Sequence, residues 1–194
     1  MAITSTTLLQ TEYGEFKVCY HRNQYGECTS FSLGDITNNI PIVRIHSACL
    51  FGEAFGSLHC DCHHQLNEAL KRIQEYGYGV IVYSLAGEGL GIGLEKKIAS
   101  MEIERVEKCD MIEALAKLGV AGDQRKYDGD VEALQDLSVN KHIRLFSSNP
   151  TKKRLLEAAG FIIDEYLAIK NTHLHTLAKQ EQKTKEEKLG YTKL

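Results

Sequence analysis

Residues 66–83 read Leu-Asn-Glu-Ala-Leu-Lys-Arg-Ile-Gln-Glu-Tyr-Gly-Tyr-Gly-Val-Ile-Val-Tyr, and the hydrophobic period changes once within them. Leu66, Ala69, Leu70 and Ile73 recur at helical spacing and Gly77 supplies a stop, so a helix is expected over Leu66–Tyr76. Gly79–Tyr83 is a compact β-branched run, the pattern of a buried strand.

Working upstream, Phe16, Val18 and Tyr20 alternate with polar residues and Asn23-Gln-Tyr-Gly26 supplies a turn. Strands are therefore expected over Phe16–Cys28 and Thr29–Ile36, with a shorter one at Pro41–His46. Downstream, Ala86–Gly93 is a glycine-rich loop, followed by helices over Leu94–Lys108, Asp110–Leu118 and Gly129–Leu137. His142–Phe146 reads as a strand, Ser147-Ser-Asn-Pro150 opens a helix running to Ala159, and Phe161–Tyr166 is a further strand. The tail, 172–194, is helix-prone and densely charged, the composition of a solvated helix face or a frayed end. Strands and helices intermix without strict alternation. The expected fold is α+β or mixed α/β, a mixed sheet flanked by helices in a single domain over 1–194.

Composition narrows the function. Hydrophobic residues make up 43% and charged residues 25% of 194, ordinary for a globular chain, and the net charge is −3. A broad basic surface for a nucleic-acid polymer is thereby disfavoured. No run approaches the roughly 18 apolar residues of a membrane span. The opening residues, MAITSTTLLQTEYGEF, lack the pattern of a secretory signal, so a cytoplasmic location is expected, where thiols stay reduced.

The six cysteines then need a reading other than disulfides, and three cluster: Cys49, Cys60 and Cys62. Thiolates are zinc ligands, and three leave one coordination position for a water whose pKa the metal lowers towards about 7. Cys60-Asp-Cys62 is tighter than the pairs of zinc fingers, and no second pair lies downstream. His59, His63 and His64 flank the pair, and ligation by any one would close the site into a structural one. Cys19, Cys28 and Cys109 read as small buried hydrophobes, and Met101 and Met111 as core.

The segments Pro41-Ile-Val-Arg-Ile-His-Ser-Ala-Cys49, Gly52-Glu-Ala-Phe-Gly-Ser-Leu-His-Cys-Asp-Cys62 and Gln65-Leu66 closely resemble the zinc segment of GTP cyclohydrolase II. The likeness continues at Glu88–Leu94, at Leu118-Gly-Val-Ala-Gly-Asp-Gln-Arg125, at Ser148-Asn-Pro-Thr-Lys152 and at Thr184–Gly190. It implies a zinc-dependent cyclohydrolase that opens the guanine imidazole ring, releasing formate and pyrophosphate, in a route to riboflavin. It also implies magnesium on the substrate phosphates and a homodimer. By the same resemblance Asp123 is the general base and Arg125 acts at the α-phosphate, where stabilising charge is its plainer role. Arg44, His46, Gln65, Glu88, Gly89, Ser147 and Lys152 fall at substrate-binding positions. Each has a blander reading. Asp123 and Arg125 would make a surface ion pair, Lys152–Arg154 a solvated first helical turn, and His46 a satisfied core histidine. Lysines in a first turn oppose the helix dipole, which favours an anion partner.

The chain departs from the family pattern in its loop, Ala86-Gly-Glu-Gly-Leu-Gly-Ile-Gly-Leu94, where the family has Arg-Gln-Glu-Gly-Arg-x-Ile-Gly-Leu. Ala48, Met101 and Met111 stand where the family has glutamate, tyrosine and threonine. Three readings remain open: the GTP reaction, ring opening of another purine, pteridine or pyrimidine, and a catalytically inactive zinc-stabilised protein that binds a nucleotide or other ligand in a regulatory role.

Overall fold

A computed structural model describes residues 2–169 and 174–192. Seven strands form one mixed sheet in the order β1-β2-β3-β5-β4-β6-β7. The strands are β1 (Ala2–Thr11), β2 (Gly14–Asn23), β3 (Gly26–Leu33), β4 (Ile42–Ser47), β5 (Gly79–Ser84), β6 (His142–Leu145) and β7 (Ile162–Tyr166). The run from β1 through β3 to β5 is antiparallel, and β5, β4, β6 and β7 are mutually parallel. Among the described residues the helices are α1 (Leu50–Ala54), α2 (Cys62–Tyr76), α3 (Glu88–Gly91), α4 (Gly93–Glu107), α5 (Met111–Lys117), α6 (Asp128–Asp136), α7 (Pro150–Ala158) and α8 (Thr176–Leu189). The mixed α/β sheet flanked by helices is the architecture expected. Among the described residues no helix is long and apolar enough to cross a membrane.

The central strands bury both faces. Val43, Ile45, Val80 and Val82 pack with Val131 and Leu134 of α6 and Leu156 of α7. Ile42 and Ile81 pack with Ala69 and Ile73 of α2 and with Phe16 and Phe146. Since side chains alternate along a strand, Arg44 and His46 share the α2 face with Ile42. The parallel strands β4, β5 and β6 end together, and the segments leaving their carboxyl ends carry Cys49, Glu88 and Ser147. Ligands of open α/β sheets settle at such an end.

Several expected boundaries shift. The turn at Asn23–Gly26 is correct, but the hairpin arms are 14–23 and 26–33, and β1 was not foreseen. Helix α2 begins four residues early, at Cys62 itself. The glycine-rich stretch is not an open loop: Leu85–Gly87 is a 3-10 turn and Glu88–Gly91 a helical turn kinked at Gly89 and Leu90. The tail expectation is corrected for 176–192. Helix α8 packs over the site, with Ala178 and Thr184 buried. Residues 172–173 and 193–194 of that tail lie outside those described.

Candidate active site

Cys49 caps the start of α1, Cys60 lies in the turn after it, and Cys62 opens α2. Their Sγ atoms all lie within 4.8 Å of one another, and among the described residues no histidine joins the cluster. Cys49 and Cys60 sulfurs are 3.6 Å apart. Thiolates on a tetrahedral zinc, each at about 2.3 Å, sit roughly 3.8 Å apart. Gly52 makes the room: a Cβ there would stand 2.6 Å from Cys60 Sγ and 3.2 Å from Cys49 Sγ. Three free soft donors converging on a cradle that only glycine leaves open fit zinc. Hydrogen bonds from Cys60 and Cys62 push Cys49 well below the usual thiol range, aided by Lys97, whose Nζ donates to Cys49 Sγ at 3.3 Å. Cys60 is pushed up to about 12 and Cys62 is raised, chiefly by their bonds with Cys49. His63 is engaged elsewhere, Nδ1 with Glu53 O at 3.2 Å and Nε2 with Asn67 at 2.8 Å.

A buried chain of hydrogen bonds braces this centre. Glu53 Oε1 accepts from the Cys49 backbone N–H at 3.1 Å and from His46 Nε2 at 2.9 Å, and its Oε2 accepts from Tyr83 Oη at 2.7 Å. His46 Nδ1 accepts from Arg44 Nε at 3.0 Å, so its proton sits on Nε2 and faces Glu53. Burial, reinforced by Arg44, pushes His46 down to about 4. The His46–Glu53 contact is therefore a neutral donor on a carboxylate rather than an ion pair. Arg44 also donates to Phe146 O at 3.1 Å and to Gln65 Oε1 at 2.7 Å, and Gln65 Nε2 donates to Asp61 Oδ1 at 2.6 Å. Burial lowers Arg44 to about 10. His46 is thus both satisfied in the core and part of the site's bracing, while Gln65 spends both ends of its amide within the protein.

Asp123 and Arg125 are not a surface pair, since the Arg125 side chain is 8% exposed and that of Asp123 22%. Arg125 Nε donates to Asp123 Oδ1 at 2.8 Å and Nη2 to Oδ2; Nη1 donates to Ser47 Oγ at 3.3 Å. Burial would raise the Asp123 carboxyl, but these bonds outweigh it and hold it ionised. Burial likewise works against the Arg125 charge, and Asp123 more than restores it. The 123–125 stretch is pinned by Gln124 N–H donating to Leu90 O at 2.9 Å. That approach needs Gly91, where a Cβ would stand 2.8 Å from Arg125 N. Lys152 is buried, which overturns the solvated reading for it but not for the exposed Lys153 and Arg154. Its Nζ donates to Ile45 O at 2.8 Å, and burial, then Arg125 and Arg44, hold its pKa well below the usual lysine range. Ser147, also buried, accepts the Asn149 N–H on Oγ at 3.2 Å. Two guanidiniums and the Lys152 amine thus crowd one floor, and among the hydrogen bonds they make, one acceptor is a carboxylate.

Glu88 ties the glycine-rich turn to the metal cradle. Its Oε2 accepts from Leu50 N at 2.7 Å, and its Oε1 from Lys97 Nζ at 2.6 Å and Gly89 N at 3.0 Å. Gly89 follows at φ 61 and Leu90 at φ 60, a left-handed pair that is costly for leucine. The three cysteines and Arg44, His46, Gln65, Glu88, Gly89, Lys97, Arg125, Ser147 and Lys152 line one cavity of about 1140 Å³, whereas Asp123, Glu53 and Tyr83 are not part of its lining and reach it through Arg125, His46 and Cys49. Met101, Met111 and Cys109 line it too, rather than lying in the core.

Sequence reading missed Glu53, Lys97, Lys185 and Tyr191. Lys185 pairs with Glu181 at 2.6 Å and is 17% exposed. Burial works against its charge, and Glu181 and then Cys62 more than offset that. Glu53 lies four residues after Cys49, a helical spacing that pointed to it; the others are brought in by tertiary packing.

A family profile described as GTP cyclohydrolase II matches residues 2–168. Among curated proteins, the riboflavin biosynthesis protein RibBA of Salinispora tropica is 34% identical over 94% of this chain and 46% of its own length. GTP cyclohydrolase-2 of Archaeoglobus fulgidus is 35% identical over 97% of this chain and 49% of its own. GTP cyclohydrolase-2 of Streptomyces coelicolor is 38% identical over 84% and 74%. The chain spans about half the length of the first curated relatives it matches. A solved structure, the two-domain 3,4-dihydroxy-2-butanone 4-phosphate synthase RibBX of A. baumannii, overlaps at TM-score 0.43 and 15% identity, covering 86% of this chain and 39% of that one.

Proposed function

This chain belongs to the GTP cyclohydrolase II family, and we propose that it is a zinc-dependent cyclohydrolase that opens the imidazole ring of a guanine nucleotide and releases its C8 as formate. One observation carries the reading. The Cys49, Cys60 and Cys62 sulfurs and the basic side chains of Arg44, Arg125 and Lys152, all shielded from solvent, line the same cavity. A soft-metal cradle and an anion-binding floor in one chamber suit hydrolysis of a phosphorylated heterocycle.

Cys49, Cys60 and Cys62 would hold the zinc, which when bound supplies a Lewis acid that activates water at neutral pH. Asp123, ionised beside Arg125, is the group that takes and returns the proton as the C–N bonds break. Arg125 keeps its charge and offers it to a phosphate. Lys152 and Ser147, at the start of α7, complete the anion floor. Glu88 and Gln65 stand at base-reading positions, although both are engaged within the protein; on this reading Glu88 chiefly positions Gly89 and Lys97. Neutral His46 holds Glu53 and, through it, the Cys49 backbone. Magnesium accompanies the substrate phosphates, the enzyme works as a cytoplasmic homodimer in riboflavin biosynthesis, and residues 1–194 act as one domain. The inactive reading is not favoured, because the family is GTP cyclohydrolase II, relatives carry the name GTP cyclohydrolase-2, and the three thiols that could hold zinc are present.

The test is formate release from GTP with magnesium by zinc-loaded protein, with Cys60→Ser and metal-stripped protein as controls. Formate that depends on the metal supports the reading. A folded, zinc-loaded protein that yields none removes GTP as substrate.

A further inference from the structure

Tyr191 follows α8, beyond residues 2–168 that the family profile covers. Its hydroxyl oxygen accepts from Arg125 Nη2 at 2.7 Å and from Asn149 Nδ2 at 2.8 Å. A guanidinium and an amide NH₂ only donate, so the phenol's own proton serves neither bond. Two lone pairs are occupied and one donor is left over, in a half-buried side chain that lines the cavity. The segment is anchored independently of the hydroxyl. Tyr191 N–H donates to Lys185 O at 3.2 Å, Thr192 N–H donates to Ser148 O at 3.1 Å, and Lys188 pairs with Glu113 at 3.0 Å.

A donor beside a crowded cationic floor is matched by an anionic oxygen. Arg125, forked onto Asp123 through Nε and Nη2, also donates from that same Nη2 to Tyr191, which fixes the plane it presents. We infer that Tyr191 is a substrate-binding residue, donating its hydroxyl proton to a phosphate oxygen of the substrate while orienting Arg125. The C-terminal helix thereby completes the site. The inference rests on the proposed reading in one respect only, that the cavity takes a phosphorylated ligand.

The test is calorimetric titration of zinc-loaded wild type and Tyr191→Phe with inorganic pyrophosphate, and separately with guanosine, which has the base but no phosphate. Phenylalanine keeps the ring and the backbone anchors, so zinc content stays at the wild-type value and the protein stays folded, with a modest fall in melting temperature from the donors left unpaired on Arg125 and Asn149. The expected result is an affinity for pyrophosphate about tenfold or more weaker in the variant, with guanosine binding unchanged. Equal pyrophosphate affinity in the two proteins overturns the inference. So does a parallel loss for both ligands, which would mark a merely structural residue, and so does a wild type that does not bind pyrophosphate. A protein that distinguishes Tyr from Phe by pyrophosphate yet releases no formate from GTP would sink the ring-opening reading and leave this one standing.

Discussion

Gly52→Ala is the sharpest perturbation of the metal cradle. Gly52 sits inside α1 without a positive φ, so alanine suits its backbone and favours the helix by up to about 1 kcal/mol. The added Cβ, however, would stand 2.6 Å from Cys60 Sγ, 3.2 Å from Cys49 Sγ and 3.2 Å from Cys62 Cβ. Ordinary contact needs about 3.5–4.0 Å, so the Cys60 sulfur must retreat by roughly 1 Å. Metal ligands tolerate displacements of about 0.2 Å. One thiolate of three is therefore lost, and zinc affinity should fall by at least about 100-fold, beyond what removing an outer hydrogen-bond partner does. Competition against a chromophoric chelator reads the affinity, and far-UV circular dichroism shows that the helix persists. A Gly52→Ala protein that holds zinc as tightly as wild type would refute the argument, because the three sulfurs would then not be placed as described.

Two further substitutions probe the surroundings. Lys97→Met removes the ammonium that touches Cys49 Sγ and frees Glu88; zinc affinity should drop about 10–100-fold, and metal-free protein should react more slowly with iodoacetamide at Cys49. Asp130→Asn tests a buried carboxyl that burial raises from 3.8 to about 7. A raised carboxyl binds its proton more tightly when folded, so its contribution is intact below about pH 4 and is lost as pH climbs to 7, by up to about 4 kcal/mol. The Asn variant should therefore gain on wild type by a few kcal/mol between pH 4.5 and 8 in urea denaturation; equal slopes in the two proteins would exclude the effect.

What could be read from the sequence is what neighbours in the chain decide. The thiol cluster, the α2–β5 period change and the Asn23–Gly26 turn are local patterns. Strand β1 was missed because it lies at the sheet edge with no buried side, Leu8 being 62% exposed, so no alternation marks it. The glycine-rich stretch carries no periodicity, and Glu88 imposes its turns by capping Leu50 N from 38 residues away. Helix α8 shows no apolar stripe because polar contacts hold it: Lys188 on Glu113 and Tyr191 on Arg125. Lys152 gave a hint in advance, since a cation in a first turn opposes the helix dipole, and it proves to be buried rather than solvated.

The same contrast bears on how many phosphates the site rewards. The stretch 85–94 carries no cation, and its only charged side chain, Glu88, is spent on Lys97 and Leu50. Of the basic side chains that line the cavity, Arg44, Arg125 and Lys152 are the ones buried together in its floor. A phosphate held there gains charge-assisted bonds of about 1.5–3 kcal/mol each, and phosphates projecting towards glycine and leucine gain none from this stretch. Affinity should therefore rise less than about tenfold from GMP through GDP to GTP, since each decade needs about 1.4 kcal/mol. Titration of the three nucleotides into metal-stripped Cys60→Ser protein, which cannot turn them over, measures this directly. A GTP affinity 100-fold above that of GMP would mean that other cations reach the outer phosphates and that the glycine-rich stretch does not set the grip.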